Sequence, residues 1–241
     1  MQLFFIRHAQ SENNLLLDQT GSNEGRSADP ELTELGYQQA QVLAEFLGNS
    51  QSALKTNQAV VSQNIQVIQL THLYTSLMIR AVATGVEISK TTGLPLVGWL
   101  DLHELGGIYQ KDSQTGIKAG LPGYPRSYFE QRFPELILPY AVGEQGWWYR
   151  PHETEKQGLS RTRCVIQEIY ARHGRSNDRI GLISHGDFYQ MFLPVLFGQT
   201  PGNLPFFQLN NAAITRIDFE PNKIRVIYLN RMDYLPANLI T

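Results

Sequence analysis

The segment LFFIRH (residues 3–8) joins a short apolar run directly to an arginine and a histidine. Four consecutive apolar residues are typical of a strand that is buried on both faces, as in the middle of a parallel sheet. The polar residues AQSENN (9–14) follow at once, so the strand ends at Arg7 and His8. In open α/β sheets, ligands bind beyond the carboxyl ends of such strands. We therefore predict that this strand presents both side chains to a binding site.

A second strand further along the chain has the same ending. GLISHGD (181–187) runs from apolar residues into His185 and is followed by the helical pattern FYQMFLPVLFG. If the two strands are neighbours in a parallel sheet, the imidazoles of His8 and His185 meet at one edge. A single histidine at a strand end is more often a hydrogen-bonded structural residue than a catalyst. The prediction therefore depends on both His8 and His185 following a buried strand.

Strand-like and helix-like segments alternate along the chain, which favours an α/β fold. Thr154 and Gln157 form a capping-box pattern at the start of one helix, and glycines end several others. We predict a three-layer α/β/α sandwich with a mostly parallel central sheet. The predicted elements are a polar loop at 14–30, a helix from Thr33 to Gly48, a surface insertion at 49–64, a strand at 65–76, a helix at 77–93, a helix from Thr154 to Gly174, and a hairpin of 212–219 with 223–229.

The length of 241 residues favours one domain spanning 1–241 rather than two. Residues 105–150 are rich in glycine, proline and aromatic residues and show no sustained period. Such a segment is typical of a lid-like insertion that covers a site or binds substrate. Its large side chains either contact the substrate or simply pack the insertion onto the sheet. The side chains concerned are those of Tyr109, Tyr124, Arg126, Trp147, Trp148, Tyr149 and Arg150.

Composition excludes several classes of protein. The net charge is −2, and no block of lysine or arginine forms the basic surface of a nucleic-acid-binding protein. No apolar run approaches the ~20 residues of a membrane span or resembles a signal peptide, so we expect a cytoplasmic protein without a membrane partner. The single cysteine, Cys164, excludes an internal disulfide and a cysteine-rich metal site. Its place on an apolar helix face predicts a buried, inert thiol.

Two arginines add permanent positive charge to the predicted site. Arg7 precedes His8, and Arg80 lies one turn into the helix that follows the strand at 65–76. A guanidinium matches the tetrahedral oxygens of a phosphoryl group and keeps its charge beside other cations. Arg80 alone would most often be a surface residue. Together with the two histidines, these arginines on a nearly neutral protein indicate a dianionic ligand, for which phosphate is the obvious candidate.

Five segments, in order along most of the chain, resemble those of the histidine phosphatase superfamily, which includes the phosphoglycerate mutases. The matches are RHAQSENN (7–14) to the RHGxSxxN signature, ELTELGYQQA (31–40) to the LTxxGxxQA block, SLMIRAVAT (76–84) to the SPLxRAxQT segment, LHELGG (102–107) to the segment with the acid, and ISHGD (183–187) to the second histidine segment. Ala9, Leu77 and Ala83 replace the usual glycine, proline and glutamine. These departures affect loop geometry rather than the reacting groups.

The resemblance implies roles for individual residues. His8 is the expected nucleophile and Glu104 the expected proton donor, although a solvated loop carboxylate is the alternative interpretation of Glu104. Arg7, Arg80 and His185 are expected to complete the phosphate pocket. The same matches imply that substrate is bound by Ser11, Asn14 and Gly186. The segment NLLLDQTG (14–21) keeps the spacing that places a threonine near substrate in the mutases, which adds Thr20. The remaining histidines are interpreted as structural or surface residues, namely His72, His103, His152 and His173.

The implied function is that of a metal-independent phosphatase, of histidine acid phosphatase type and without a cofactor. Its expected partner is a small phosphorylated metabolite, hydrolysed through a phosphohistidine intermediate, and a homodimer is left open. A phosphoglycerate mutase is the first alternative, which we disfavour because HELGGIYQK (103–111) lacks the charged and aromatic mutase motif around the acid. A non-catalytic phosphate-binding or scaffold protein of the same fold is the second. Such a protein would be free to lose some of the five reacting groups.

Overall fold

The central sheet contains seven of the nine strands in the computed structural model, which describes residues 1–55, 68–200 and 205–241. The strands are β1 (Gln2–Arg7), β2 (His72–Thr75), β3 (Leu96–Gly98), β4 (Tyr109–Lys111), β5 (Lys118–Gly120), β6 (Leu136–Ile137), β7 (Arg179–Ser184), β8 (Ile214–Glu220) and β9 (Lys223–Arg231). The α-helices are α1 (Glu12–Thr20), α2 (Glu34–Lys55), α3 (Ile79–Thr92), α4 (Arg126–Arg132), α5 (Glu155–His173) and α6 (Gly186–Leu196). None of the helices in these ranges is long and apolar enough to cross a membrane.

The strands of the central sheet lie in the order β6-β3-β2-β7-β1-β8-β9. The first five are parallel to one another, whereas β8 and β9 extend the sheet in antiparallel fashion. The sheet is therefore mostly parallel, as predicted, and β8 and β9 form the predicted hairpin. Strands β1 and β7 pair directly, with Arg7 opposite Ser184. This pairing brings the residues that follow both strands to one edge of the sheet.

Side chains of β1 alternate between two apolar cores, because successive strand residues point to opposite faces of a sheet. Phe4 and Ile6 belong to a core that includes residues of α2 and α3, and Leu3 and Phe5 belong to a second core with residues of α5 and α6. All four side chains are buried. The predicted three layers are thus confirmed, and burial on both faces explains why the strand is uniformly apolar.

Helix α1 occupies part of the segment that the sequence analysis predicts to be a polar loop. The hydroxyl of Ser11 accepts a hydrogen bond from the backbone N–H of Asn14, and the Asn14 side chain accepts one from the backbone N–H of Ser11. Gly21, at φ 65°, ends the helix in the left-handed conformation. No residue of α1 is buried. The sequence therefore lacks the apolar period that would have identified this helix.

Helix α2 continues beyond Gly48, which the sequence analysis predicts to be its end. A Cβ on Gly48 would lie 2.5 Å from Cγ2 of Thr91 in α3, so this glycine allows the two helices to pack closely. The predicted surface insertion at 49–64 begins as helix, and from residue 56 onward it lies outside the described residues. Of the strand predicted at 65–76, residues 65–67 also lie outside them, and β2 forms its last part.

The segment 105–150 contains the β4–β5 hairpin, α4, and β6, which pairs with β3 at the edge of the central sheet. Trp147 and Trp148 are buried members of the apolar core that also includes Phe4 and Ile6 of β1. These two rings therefore pack the segment onto the sheet, which is one of the two alternatives that the sequence leaves open. Tyr149 is exposed. The function of the segment as a lid stays a prediction.

Cys164 is exposed, so the prediction of a buried thiol is wrong. The side of α5 that faces the core includes Thr162, Val165 and Ile169. With 3.6 residues in each helical turn, the residue immediately before Val165 points well away from that side. The apolar period of α5 is real, but the cysteine does not belong to it.

Candidate active site

His8 and His185 lie at the carboxyl edge of the central sheet, immediately after β1 and β7. Their ring centroids are 5.1 Å apart, and both side chains are buried. The backbone N–H of His8 donates to the carbonyl oxygen of Ser184 at 3.0 Å, which fixes the two strand ends relative to each other. The structure thus brings the two predicted imidazoles together.

Arg80 reaches this pair from the first turn of α3. Its Nε donates a hydrogen bond to Nε2 of His8 at 3.1 Å. The Arg80 side chain is buried, and its Nη2 lies 3.1 Å from Sδ of Met78. The guanidinium is therefore held in contact with the imidazole rather than in solvent.

Two hydrogen bonds define the tautomer of His8. Nδ1 lies 2.7 Å from the carbonyl oxygen of Ala9, which can only accept, so we assign the ring proton to Nδ1. Nε2 then carries the lone pair that accepts from Arg80. Burial, followed by the positive charges of Arg80 and Arg7, lowers the pKa of His8 well below its usual value. The ring is therefore neutral near pH 7 and has one basic nitrogen.

Asp29, which the sequence analysis did not identify, lies behind Arg80. Its Oδ1 accepts a hydrogen bond from the backbone N–H of Ile79 at 3.1 Å and lies 3.6 Å from Nη1 of Arg80. Burial raises the pKa of Asp29 to about 7, against the opposing effect of Arg80. In the sequence, Asp29 stands just before the ELTELG block. Nothing in the sequence pattern predicts that it contacts the start of α3.

His185 is held by Ser76, a second residue that the sequence analysis did not single out. Nε2 of His185 lies 2.8 Å from Oγ of Ser76. Among the described residues, Nδ1 of His185 is buried without a hydrogen-bond partner. Burial, followed by the charge of Arg80, lowers the pKa of His185 well below its usual value. One ring nitrogen of His185 is thus anchored and the other is available to a ligand.

Arg7 lies against the start of α6. Its Nη1 donates to the carbonyl oxygen of Leu209 at 2.5 Å, whereas its Nε is buried and unpartnered within the part of the chain that is described. A Cβ on Gly186 would lie 3.5 Å from that Nε. The predicted residues Arg7 and Gly186 are therefore adjacent, with an N–H donor of Arg7 not used by the fold.

Glu104 caps the amino-terminal end of α6. Its Oε1 accepts from the backbone N–H groups of Phe188 at 2.7 Å and Leu105 at 2.9 Å, and its Oε2 accepts from that of Asp187 at 3.1 Å. Burial, followed by the negative charge of Asp187, raises the pKa of Glu104 to about 7, although Arg80 and the backbone donors oppose this. The carboxyl group is therefore not a freely solvated one, and both protonation states are populated near neutral pH.

Ser11 and Asn14 connect α1 to the backbone of His8. The side chain of Asn211, which is buried, donates to the carbonyl oxygen of His8 at 3.0 Å and to Oδ1 of Asn14 at 3.2 Å. Ser11 Oγ donates to the same Asn14 oxygen at 2.8 Å. Asn211 is a third residue that the sequence analysis missed, because it lies 203 positions from His8 and 197 from Asn14. Substrate contact by Ser11 and Asn14 stays a prediction.

Thr20 is the last residue of α1 and is exposed. Its hydroxyl donates to the carbonyl oxygen of Leu16 at 2.7 Å, in its own helix, and is also within 3.2 Å of the Ser22 carbonyl. In the described ranges, none of its hydrogen bonds reaches the two histidines or the arginines around them. A role in substrate binding therefore stays a prediction for Thr20.

The ELTELGYQQA block supports the loop that follows His8. A Cβ on Gly36 would lie only 2.0 Å from the carbonyl oxygen of Gln10, so only glycine fits there. Oε1 of Gln39 accepts from the backbone N–H of Gln10 at 2.7 Å. On the other side, Oγ1 of Thr84 in α3 accepts from the backbone N–H of Ala9 at 3.1 Å. These residues support the backbone of the two residues that follow His8.

In the described ranges, one group of histidine and acidic side chains is close enough together to hold a metal ion. That group contains no residue of this active site. The charge available to a ligand here comes from Arg7 and Arg80. Both arginines are near enough for their charge to lower the pKa of His8, which burial lowers most. Guanidinium groups match the oxygens of a phosphoryl group.

Residues 3–232 match the family model of the histidine phosphatase superfamily, branch 1. The chain belongs to the histidine phosphatase superfamily. Phosphoserine phosphatase 1 of Hydrogenobacter thermophilus is 23% identical over 237 residues, which are 95% of this chain and 92% of that protein. The resemblance on which the site prediction was based is therefore confirmed.

Solved structures of other members share the fold. A mycobacterial glucosyl-3-phosphoglycerate phosphatase complexed with VO3 superposes with a TM-score of 0.60 at 20% identity, covering 96% of this chain and 99% of that chain. A phosphoserine phosphatase mutant from Entamoeba histolytica in complex with phosphoserine superposes with a TM-score of 0.56 at 20% identity, covering 98% and 99%. At this identity the likeness establishes the architecture and not the substrate.

Proposed function

We propose that this histidine phosphatase superfamily member is a metal-independent phosphomonoesterase, of histidine acid phosphatase type, that forms a phosphohistidine at His8 with Glu104 as proton donor. The observation that carries the proposal is the neutral His8 ring, whose Nε2 lone pair faces Arg80 at 3.1 Å with the Nδ1 proton held by Ala9. Relatives named as phosphatases support hydrolysis of a small phosphomonoester.

In the first step, Nε2 of His8 attacks phosphorus and the ester P–O bond breaks. The electron pair of that bond goes to the leaving oxygen, which takes the proton of the Glu104 carboxyl group and departs as an alcohol. The neutral imidazole needs no base to activate it. Arg7, Arg80 and His185 stabilise the equatorial oxygens, so a metal ion is not required for charge neutralisation. The neutral His185 ring does so as a donor, with its proton on Nδ1 while Nε2 accepts from the Ser76 hydroxyl.

In the second step, the Glu104 carboxylate accepts a proton from water as that water attacks phosphorus. The P–N bond breaks, its electron pair returns to His8, and phosphate leaves with Glu104 again protonated. A pKa of about 7 suits a group that must both give and take a proton. The backbone N–H groups of Asp187 and Phe188 hold the carboxyl group in one place through both steps.

We also propose that the substrate carries a second acidic group next to the phosphate ester. The Arg26 guanidinium lies 4.5 Å from the centroid of the Tyr109 ring, and Nζ of Lys118 lies 5.1 Å from it. Burial lowers the pKa of Arg80 and the charge of Arg26 adds to this effect, so Arg26 is within electrostatic reach of the pocket. Phosphoserine and 3-phosphoglycerate, named with the relatives, both carry a carboxylate at such a position.

The proposal is tested by brief exposure of the protein to a labelled aryl phosphate, followed by quenching in base. An acid-labile, base-stable phosphoryl group should be found on the wild-type protein and not on His8→Ala, and free phosphate should be released. A labelled protein that returns its phosphoryl group to a phosphoglycerate instead of water would identify a mutase, and absence of label with tight phosphate binding would identify a non-catalytic binder.

The second acidic group of the substrate is tested separately. Faster hydrolysis of phosphoserine than of phosphoethanolamine, which lacks the carboxylate, would support it.

A further inference from the structure

His72, His173 and Asp178 come together at the edge of the sheet opposite to His8 and His185. His72 begins β2, His173 ends α5, and Asp178 immediately precedes β7. Because β2 and β7 are parallel neighbours, their amino-terminal ends lie side by side. The proposed phosphatase chemistry uses none of these residues, and the sequence analysis assigned both histidines to structure or surface.

We propose that His72, His173 and Asp178 form a binding site for a transition-metal dication such as Zn²⁺. Nδ1 of His173 lies 2.8 Å from Oδ2 of Asp178, and Nδ1 of His72 lies 4.0 Å from Oδ1 of the same carboxylate. One ligand atom from each residue lies within 4.8 Å of the others. Tetrahedral zinc with bonds of about 2.0–2.2 Å needs ligand atoms about 3.4 Å apart. The observed separations lie on both sides of that value.

The small movements required fall on the more exposed members of the group. The side chains of His72 and Asp178 are 40% and 26% exposed, whereas that of His173 is only 5% exposed. The turn between His173 and Asp178 is fixed by Ser176, whose hydroxyl donates to the His173 carbonyl at 2.8 Å and accepts from the Asp178 backbone at 3.1 Å. One rigid ligand and two adjustable ones can therefore close on an ion, and water completes the tetrahedron.

Neighbouring groups can accommodate the change of hydrogen bonds. Nε2 of His173 lies 3.1 Å from the Tyr74 hydroxyl, so the His173 proton moves from Nδ1 to Nε2 when the metal takes Nδ1. The Thr71 hydroxyl, 2.9 Å from Nδ1 of His72, has a second acceptor in the Arg179 carbonyl at 3.2 Å. Tyr74 and Thr71 each therefore keep a hydrogen-bond partner when the ion binds.

The charge state of the group also suits a cation. The group includes one carboxylate, that of Asp178, whose Oδ2 lies 2.8 Å from Nδ1 of His173. The nearby Arg172, whose guanidinium lies 5.6 Å from the Tyr74 ring centroid, is paired with the carboxylate of Glu168. Imidazole and carboxylate together are ligands that zinc and its neighbours in the first transition row accept.

Titration of the full chain, freed of any affinity tag, with ZnCl2 and with CoCl2 tests the site. We expect one equivalent to bind, with the visible absorption of tetrahedral Co²⁺, and we expect His72→Ala to weaken binding at least ~10-fold. Tyr74→Phe should weaken it about 10–100-fold by removing the partner of His173, a loss that a purely structural cluster would not show. His152→Ala is the matched control and should bind like wild type.

Two outcomes would overturn the proposal. One is the absence of saturable Co²⁺ binding by the wild-type protein. The other is binding that His72→Ala leaves unchanged and that His8→Ala removes, which would move the ion to the phosphatase site. His72 is used for the main variant because its exposed side chain can be removed without endangering the fold, and circular dichroism of each variant checks that it is folded.

Discussion

Nε of Arg80 donates to Nε2 of His8 at 3.1 Å, so the guanidinium covers the nitrogen that attacks phosphorus in the proposed mechanism. This contact keeps a proton off Nε2, because protonation would place two donors against each other. It also means that Arg80 must turn from the imidazole to a phosphoryl oxygen when substrate enters. In the proposed mechanism, Arg80 therefore first keeps His8 unprotonated and then stabilises the charge on the transferred group.

Arg80→Lys should lower kcat/KM for an aryl phosphate about 100–1,000-fold. An ammonium keeps the positive charge but cannot contact His8 through one nitrogen while directing others to the phosphate and Asp29. Steady-state kinetics of the variant provide the measurement. Arg163→Lys, at an exposed position of α5, is the matched control and should leave kcat/KM unchanged. Equal rates for Arg80→Lys and wild type would remove Arg80 from the reaction.

Glu104→Gln should lower kcat/KM for alkyl phosphates about 100–10,000-fold, and much less for aryl phosphates. Aryl oxides leave without a proton, whereas alkoxides need the acid. The ratio kcat/KM is the appropriate measure because it covers only steps up to loss of the alcohol. With aryl substrates the phosphoenzyme should accumulate, because the variant also lacks the base for water attack. Glu130→Gln, exposed on α4, is the control, and an equal loss on both substrate classes would exclude Glu104 as the acid.

The sequence could predict the site residues that end a strand or open a helix beside one. His8 and His185 follow apolar runs, and the parallel pairing of β1 and β7 then dictates that they meet. The sequence could not predict Asp29 or Asn211, because their contacts depend on how loops cross the sheet edge. The prediction that the helix ends at Gly48 was wrong, because the sequence does not distinguish a glycine that allows close helix packing from one that ends a helix.

Asp29→Asn should change how stability depends on pH. Burial raises the pKa of Asp29 from 3.8 to about 7 in the folded protein, so the folded state binds this proton more tightly than the unfolded state. The stability linked to the proton is present at low pH and is lost as pH rises through about 7. Asparagine cannot titrate, so the wild-type protein should lose roughly 3 kcal/mol relative to Asp29→Asn between pH 5 and pH 8.

Urea unfolding of both proteins at the two pH values measures this difference. Glu24→Gln changes an exposed carboxylate in the same loop and should follow the wild-type protein at both. A difference between wild type and Asp29→Asn that stays constant from pH 5 to pH 8 would show that Asp29 does not titrate in this range.

Gly107→Ala should destabilise the protein and disturb the Glu104 loop, whereas Gly116→Ala should cost much less. Both glycines have positive φ, 73° and 72°, so an alanine at either position carries a conformational cost of about 1–2 kcal/mol. A Cβ on Gly107 would also lie 2.0 Å from Cζ2 of Trp148, but a Cβ on Gly116 would find its nearest neighbour, in Lys111, at 3.9 Å. The buried Trp148 cannot move away without opening the core, which adds about 1–3 kcal/mol.

Because the backbone N–H of Gly107 donates to the carbonyl oxygen of Glu104 at 3.1 Å, the displaced loop should also lower kcat/KM for alkyl phosphates. Urea midpoints and kinetics of the two variants separate the clash from the backbone strain, and equal losses in both would mean that the Trp148 contact does not hold the acid in place.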